Sequence, residues 1–468
     1  MPRKESTLVG FAAAIALPLL LGACAQLPSA DLVRTWQGAH QPRVAGARGP
    51  MSAKRSAEVL DALKQKVGDI DILQKHVALE EAFAGTPLTT GNRAILLQNG
   101  PATYKAMFAA MRTARDHINL ESYIIEDDQI GREFSELLLE MQGKGVQVNL
   151  IYDSVGAMKT PREFFDRLTQ AGIKVLEFNP VNPLKARRDW RINNRDHRKL
   201  LIVDGKTAFL GGINISSVYS SGSSGPGGGF ASSGGDGSTT PWRDTQVQIE
   251  GPVVAEFQKM FLNTWSAQHG EPLDVKRYLP QLPPRGGELV RAIGTSGDDE
   301  NSTIYLTLLS AIENAEKQIY ITNAYFVPDK QLMDALLAAV KRGVDVRLLL
   351  PGHTDFWAVF HAGRSHYEDL LEGGVRIFER GEALLHSKTV VIDGVWSCIG
   401  SANMDWRSFL HNEEINAVIL GPEFAQQMLT MFDGDLAKSS EVTVEAWSRR
   451  PLHLRMREWA ARVWEYWL

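Results

Sequence analysis

Cysteine is almost absent from this chain: Cys24 and Cys398 are the two thiols among 468 residues. Two isolated cysteines build no disulfide framework and lack the clustering of a zinc site. An excess of one charge is missing too, since 50 Lys and Arg stand against 55 Asp and Glu, a formal net charge of −5. That removes the case for a general nucleic-acid binder and leaves any anion preference to local patches. Long hydrophobic runs are confined to one stretch near the N-terminus, which excludes a polytopic membrane protein. What remains is ordinary globular composition, 44% hydrophobic and 22% charged, so a mainly disordered chain is excluded as well. A length of 468 residues suggests two large domains or about three average ones.

Residues 1–24 open with Arg3 and Lys4, continue through a mostly apolar stretch from Leu8 to Leu21, and end Leu21-Gly22-Ala23-Cys24. The stretch is too short to cross about 30 Å of hydrocarbon comfortably, but it suits the h-region of a signal peptide. Its end resembles a bacterial lipobox, in which the cysteine is acylated and becomes the new N-terminus. A signal cut at an ordinary small-residue site and an uncleaved anchor are the alternatives. Acylation at Cys24 would hold the protein on a membrane surface, each buried methylene contributing about 0.8 kcal/mol. Ala25 rather than Asp follows the cysteine, which under the enteric sorting rule points to the outer membrane over the inner. The expected location is the bacterial cell envelope, lipid-anchored and facing the periplasm.

Residues 25–55, rich in Ala, Pro, Gly and Arg without a period, read as a tether. Beyond them the chain repeats itself. Lys144–Ile151 matches Arg342–Leu349, each following a helix-like stretch and alternating apolar with polar residues, the pattern of a half-buried strand. Ahead of these, Ile118–Tyr123 resembles Ile319–Tyr325; beyond them, Ala171–Val175 resembles Gly373–Ile377. Strands alternating with helices predict a layered α/β fold in each half. The expected organisation is a first domain over 56–268, a Pro-rich linker over 269–287, a second domain over 288–440 and a C-terminal helix over 441–468. Residues 220–241 are almost all Ser and Gly and read as a loop with nothing to fill a core.

Chemistry lies in a motif that occurs once per half. His197-Arg198-Lys199 precedes an apolar run, then Asp204-Gly205 and Gly211-Gly212-Ile213-Asn214. His386-Ser387-Lys388 precedes another, then Asp393-Gly394 and Gly400-Ser401-Ala402-Asn403. The two histidines and the two asparagines are each 189 positions apart, so the internal spacing is identical. Short β-branched runs after each lysine place His-x-Lys on a buried strand, with His and Lys on one face. Asp204 and Asp393 have the opposite parity and read as structural members of the motif rather than partners of the imidazoles. A neutral imidazole serves as nucleophile or base near neutrality while a second serves as acid. A lysine ammonium suits phosphate oxygens. Two motifs face to face would surround one tetrahedral phosphate.

This doubled H-x-K-x₄-D resembles the signature of the phospholipase D superfamily. Arg195-Asp196-His197, Tyr325-Phe326-Val327-Pro328-Asp329 and Gly400–Ser408 through Asn412-Glu413-Glu414 narrow the likeness to bacterial cardiolipin synthases, over roughly residues 85–468. The best-known synthases begin with transmembrane helices, where this chain has a lipoprotein-like signal, and the Ser/Gly insertion is a second departure. The resemblance implies two similar domains, each a mixed β-sheet flanked by helices, packed with pseudo-twofold symmetry. It implies a covalent phosphatidyl-histidine, with His197 as nucleophile and His386 as acid and base, or the reverse. Lys199, Lys388, Asn214 and Asn403 would hold the phosphoryl oxygens with Ser401 near them. Asp244 and Glu414 would each orient a histidine, a surface carboxylate being the alternative for Asp244. No metal or other cofactor is expected.

Local features fit an anionic phospholipid, phosphatidylglycerol being the expected substrate. Seven basic residues between Lys185 and Lys199 stand against Asp189 and Asp196, either a patch that focuses headgroups or a solvated loop. Met456, Trp459, Val463 and Trp467 recur at helical spacing beside Arg455, Arg457 and Arg462. They fit an interfacial membrane helix or, the reading preferred on sequence, packing on the protein's own domain. Cys398, in an apolar strand, reads as an inert buried thiol. Four functions compete. A phosphatidyltransferase leads, then a phospholipase D that passes the same intermediate to water, then a nuclease, then a non-catalytic lipid-binding lipoprotein. A pure binder has no need of two histidines, no nucleic-acid partner is expected, and the sequence leaves the oligomeric state open. Cys24→Ser is expected to leave the protein unlipidated by intact-mass analysis of membrane extracts; a fully acylated variant would remove the lipobox reading.

Overall fold

The computed structural model describes residues 26–36, 42–68, 70–182, 191, 193–220, 241–297, 299 and 302–467. The signal segment with Cys24 and the Ser/Gly loop over 221–240 lie outside the described residues.

Each half builds a mixed sheet in the same order. In the first, the strands Lys174–Phe178, Gln147–Asp153 and His117–Ser122 run parallel. The sheet then turns antiparallel through Lys199–Val203, Thr207–Gly211, Thr245–Glu250 and Leu88–Gln98. In the second, Arg376–Arg380, Asp345–Pro351 and Gln318–Asn323 are parallel. Lys388–Ile392, Trp396–Gly400, Asn412–Leu420 and Glu288–Thr295 follow antiparallel. The two sheets join edge to edge, antiparallel, at Leu88–Gln98 and Glu288–Thr295. That is the relation a twofold axis requires.

Helices fill both sides. Phe257 and Phe261 on Val254–Ala267, and Phe424 and Met428 on Pro422–Leu436, share one core with inward residues of both sheets, such as Val247 and Ile415. This central layer glues the halves. Each fully buried Phe stabilises the fold by about 1.5–3 kcal/mol. The expected tether is partly packed instead: Val44 is fully buried and pairs beside Leu88, and Ala30 and Val33 join the second half's core, as do Leu60 and Leu63 from the start of the expected first domain. Isolated apolar residues in a Gly- and Ala-rich stretch have no period to reveal them, yet three such side chains, Ala30, Val33 and Val44, dock it.

The aspartates of the repeated motif make turns. Asp204 and Gly205 both have positive φ (53° and 61°), as do Asp393 and Gly394 (52° and 65°). Positive φ at both central residues is the signature of a mirror-image tight turn, here closed by Lys206 N–H to the Val203 carbonyl and Val395 N–H to the Ile392 carbonyl, and Asp-Gly adopts it readily. The carboxylates face away from the histidines. Asp204 accepts from the backbone N–H groups of Arg115, Asp116 and His117, and Asp393 from those of Glu316, Lys317 and Gln318. Each hairpin is thereby tied to the start of the neighbouring strand. Asp393→Ala should cost about 2–4 kcal/mol of stability, because three amides lose their acceptor and alanine resists positive φ. An unchanged urea midpoint would contradict this structural role.

Candidate active site

Two short parallel pairings carry residues across the junction of the halves. Arg195–Asp196 pairs with the start of Asn412–Leu420, Arg195 beside Asn412 and Asp196 beside Glu413. One step on, His197 stands beside Glu414. Trp242–Arg243 pairs in the same way with Leu384–Leu385, and one step on, Asp244 stands beside His386. Backbone bonds extend both pairings, His197 N–H to the Glu413 carbonyl (2.9 Å) and His386 N–H to the Arg243 carbonyl (2.8 Å).

Each histidine is therefore held by a carboxylate of the opposite half. His197 Nδ1 lies 3.0 and 3.1 Å from the Glu414 oxygens, and His386 Nδ1 lies 2.7 Å from Asp244 Oδ2. A carboxylate partner makes Nδ1 the protonated nitrogen and leaves the lone pair on Nε2. Both imidazoles line one cavity of about 340 Å³ with Asn214 and Asn403. A hollow of about 410 Å³ near Leu63, Lys66 and Glu423 is larger but contains no motif residue.

The lysines lie beneath the histidines, both buried. Lys199 Nζ donates to the His197 carbonyl (2.5 Å) and Lys388 Nζ to the His386 carbonyl. A lysine has three donors, so these bonds leave capacity for a phosphoryl oxygen. Burial lowers the Lys199 ammonium to about 7 and that of Lys388 to about 8. Burial also lowers His197, to about 4, Glu414 opposing and the two lysines reinforcing the shift. Burial alone would raise Glu414, but His197, Lys199 and the Ser401 hydroxyl outweigh it and bring the carboxyl down to about 2. His386 is shifted down by burial and by Lys388. The site thus holds a neutral His197 against an ionised Glu414, over lysines whose ammonium forms an anion would favour.

Ser401 corrects an expectation. It is fully buried and donates to Glu414 Oε2 (2.5 Å), and the Ile415 amide donates to it. It positions the acid rather than the phosphate. Its counterpart in the other half is Gly212, where a Cβ would lie 2.2 Å from Asp244 Oδ1; glycine there makes room for the carboxylate. The basic stretch is split where it is described: Arg191 is exposed, but the residues next to His197 are not. Lys185, Arg187 and Arg188 lie outside the described residues, whereas Arg195, Arg198 and Lys199 are buried. Arg198, of opposite parity to its neighbours, runs under the sheet to Glu413 Oε2 (2.9 Å) and the Thr295 carbonyl (2.9 Å) of the second half. Cys398 is buried with its thiol pushed up to about 12, as an inert thiol should be.

Several cavity residues were assigned no role from sequence. Arg195 and Arg407 line the His197 end. Tyr219, Trp242 and Tyr325 ring His386 at 5.3–6.2 Å between centroids, whereas Tyr123 alone stands edge-on to His197. Tyr325 donates to Asp355 Oδ1 (2.7 Å), also on the wall. The repeat pointed to Tyr123 and Tyr325 as equivalents. The bridges Ile125–Ile215 and Phe326–Met404 instead align Tyr325 with Ile124 and Tyr123 with Ala324, so the two ends differ. Asp355 sits in the loop between Pro351 and Trp357, and no sequence signal marks it.

The family described as "Cardiolipin synthase, PLD-like domain" matches residues 107–221 and 308–436. "Cardiolipin synthase 2" of Bacillus anthracis is 35% identical over 78% of this chain and 69% of its own. "Cardiolipin synthase A" of Pseudomonas putida is 37% identical over 77% and 71%. The crystal structure of phosphatidylserine synthase of Haemophilus influenzae Rd KW20 shares the fold, with a TM-score of 0.62 and 13% identity over 83% of this chain and 99% of that one.

The depressed His197 value has a measurable sign. Its unfolded value is near 6.5, so the unfolded chain binds more protons between about 6.5 and 4, and stability present above 6.5 is lost as pH falls through about 4. Wild type should lose on the order of 3 kcal/mol more than His197→Gln on acidification from pH 7 to 4. Parallel losses in urea titrations would show that His197 is not held neutral.

Proposed function

The chain belongs to the cardiolipin synthase, phospholipase D-like family, and we propose that it moves a phosphatidyl group from phosphatidylglycerol to the hydroxyl of a second lipid alcohol. It is a cardiolipin synthase-like phosphatidyltransferase acting on anionic phospholipid. The observation that carries the detailed reading is the pair of imidazoles, each with Nδ1 tied to a carboxylate, lining one cavity.

In the first step the His197 Nε2 lone pair attacks phosphorus. A P–N bond forms, the P–O bond to the departing glycerol breaks, and the leaving oxygen takes its proton from His386. Asp244 favours that proton on His386 until it is given up, and the incoming phosphodiester charge adds to the effect. In the second step neutral His386 removes the proton of the acceptor hydroxyl. The acceptor oxygen then attacks phosphorus and the P–N bond breaks, restoring both imidazoles. Splitting one displacement into two in this way is the gain of covalent catalysis. Lys199, Lys388, Asn214 and Asn403 stabilise charge on the phosphoryl oxygens. Arg195 and Arg407 draw the anionic donor to the His197 end, which favours that histidine as nucleophile.

The same reading places the protein on a membrane through acylated Cys24, in the bacterial envelope and facing the periplasm, on the strength of the signal sequence. No described helix is long and apolar enough to cross a membrane.

Purified protein given labelled phosphatidylglycerol should yield cardiolipin and free glycerol; phosphatidic acid without cardiolipin would make water the acceptor and overturn the transferase reading. His197→Ala and His386→Ala should each lower turnover by about a thousandfold or more, and near-normal activity in either would show the roles to be misassigned.

A further inference from the structure

The C-terminal helix Leu452–Arg462 is turned the wrong way round for a helix of a soluble domain. The side it lays on the protein carries Glu458, paired with Arg450 at 3.0 Å, and Ala461, which packs against Val359 and Ala362. On the opposite side Leu452, Met456, Trp459 and Val463 are 70, 64, 72 and 67% exposed. At 100° per residue these four fall within one narrow stripe, about 180° from Ala461. The preference for packing on the protein's own domain is thereby corrected: the helix packs by its small and polar side and presents its large apolar side outward. The side chain of Trp467 lies outside the described residues.

This stripe does not stand alone. Of eleven large apolar side chains exposed among the described residues, seven belong to this segment or to Phe356 and Trp357. Phe356 lines the catalytic cavity while 49% exposed, and Trp357, 52% exposed, begins the helix Trp357–Arg364 on which the C-terminal helix packs. Val359, on that same helix, also lines the cavity. Two helices that pack on each other thus carry an exposed apolar surface, Phe356 and Trp357 at the mouth of the active site and the stripe on the C-terminal helix beside it. Arg455 and Arg462 border the stripe on one side and Arg457 lies beyond it on the other, all three exposed.

Resting on the proposed function, we infer that this surface is an interfacial membrane-docking face that seats the cavity mouth on an anionic bilayer. A cavity of about 340 Å³ accepts a headgroup and its phosphate but not two long acyl chains, which must stay in an apolar medium while phosphorus is attacked. An apolar stripe of tryptophan, methionine and aliphatic residues bordered by arginines inserts at the headgroup boundary and prefers anionic lipid. Docking there brings the mouth to the headgroup layer, so the lipid need not leave the bilayer.

The test uses the full chain as wild type and as the double variant Met456→Glu/Trp459→Glu, so that any N-terminal anchor is common to the pair. Co-sedimentation with phosphatidylglycerol vesicles should weaken about tenfold in the variant, and wild type should prefer these to phosphatidylcholine vesicles. Turnover of a short-chain phosphatidylglycerol below its micelle concentration should be unchanged, which reports that the variant folds. Equal vesicle partition of the two proteins would overturn the inference. So would a wild type that is dimeric without lipid and a variant that is monomeric, since a second copy would then be the occupant. Vesicle binding is read without turnover, so failure of the transferase reading and failure of the docking face are separately visible.

Discussion

Everything in the active site depends on an exchange across the junction of the halves. Neither histidine has its carboxylate in its own domain: His197 takes Glu414 and His386 takes Asp244. Two-residue parallel pairings set both contacts, so the register of a few backbone bonds decides the tautomer of two imidazoles. A buried imidazole without that partner would be neutral but unoriented. A buried carboxylate without its imidazole would be a desolvated charge, costly in a low-dielectric interior. Association of the domains and assembly of the site are thus one event. The Arg198 bonds to Glu413 and Thr295 and the shared aromatic core enforce it.

The same burial poises the site for an anion. Lysines lowered to about 7 and 8 and a histidine lowered to about 4 describe a pocket whose burial resists positive charge. A phosphodiester reverses the balance, favouring the ammonium forms and a proton on one imidazole. Charge then appears where the displacement needs it, with little reorganisation, which is the economy of a preorganised electrostatic site. Asymmetry assigns the ends. Guanidinium groups gather near His197, aromatic rings and Asp355 near His386, although the motif itself is duplicated.

Much of this was legible from spacing alone. Identical intervals within the two motifs announced the duplication, alternation placed His and Lys on one face, and parity turned Asp204 and Asp393 away from the imidazoles, where they cap hairpins. Ser401, put near the phosphoryl oxygens only by the family resemblance, turns instead to an acid thirteen residues on. Only the fold shows that Glu414 lies 2.5 Å away. The basic run could not be resolved from sequence because linear charge density ignores the side on which each residue falls: Arg191 is exposed, whereas Arg198 runs under the sheet to Glu413.

By itself, then, the sequence determined the local grammar of this protein: strands, hairpin turns, the duplicated His-x-Lys and the face on which each side chain stands, all properties of short-range periodicity. Tertiary structure alone decided which acid serves which histidine, that the docked N-terminal stretch joins the second half's core, and that the C-terminal helix turns its apolar stripe outward. Those outcomes depend on contacts between residues far apart in the chain, and periodicity within one segment carries no information about the partner that covers it.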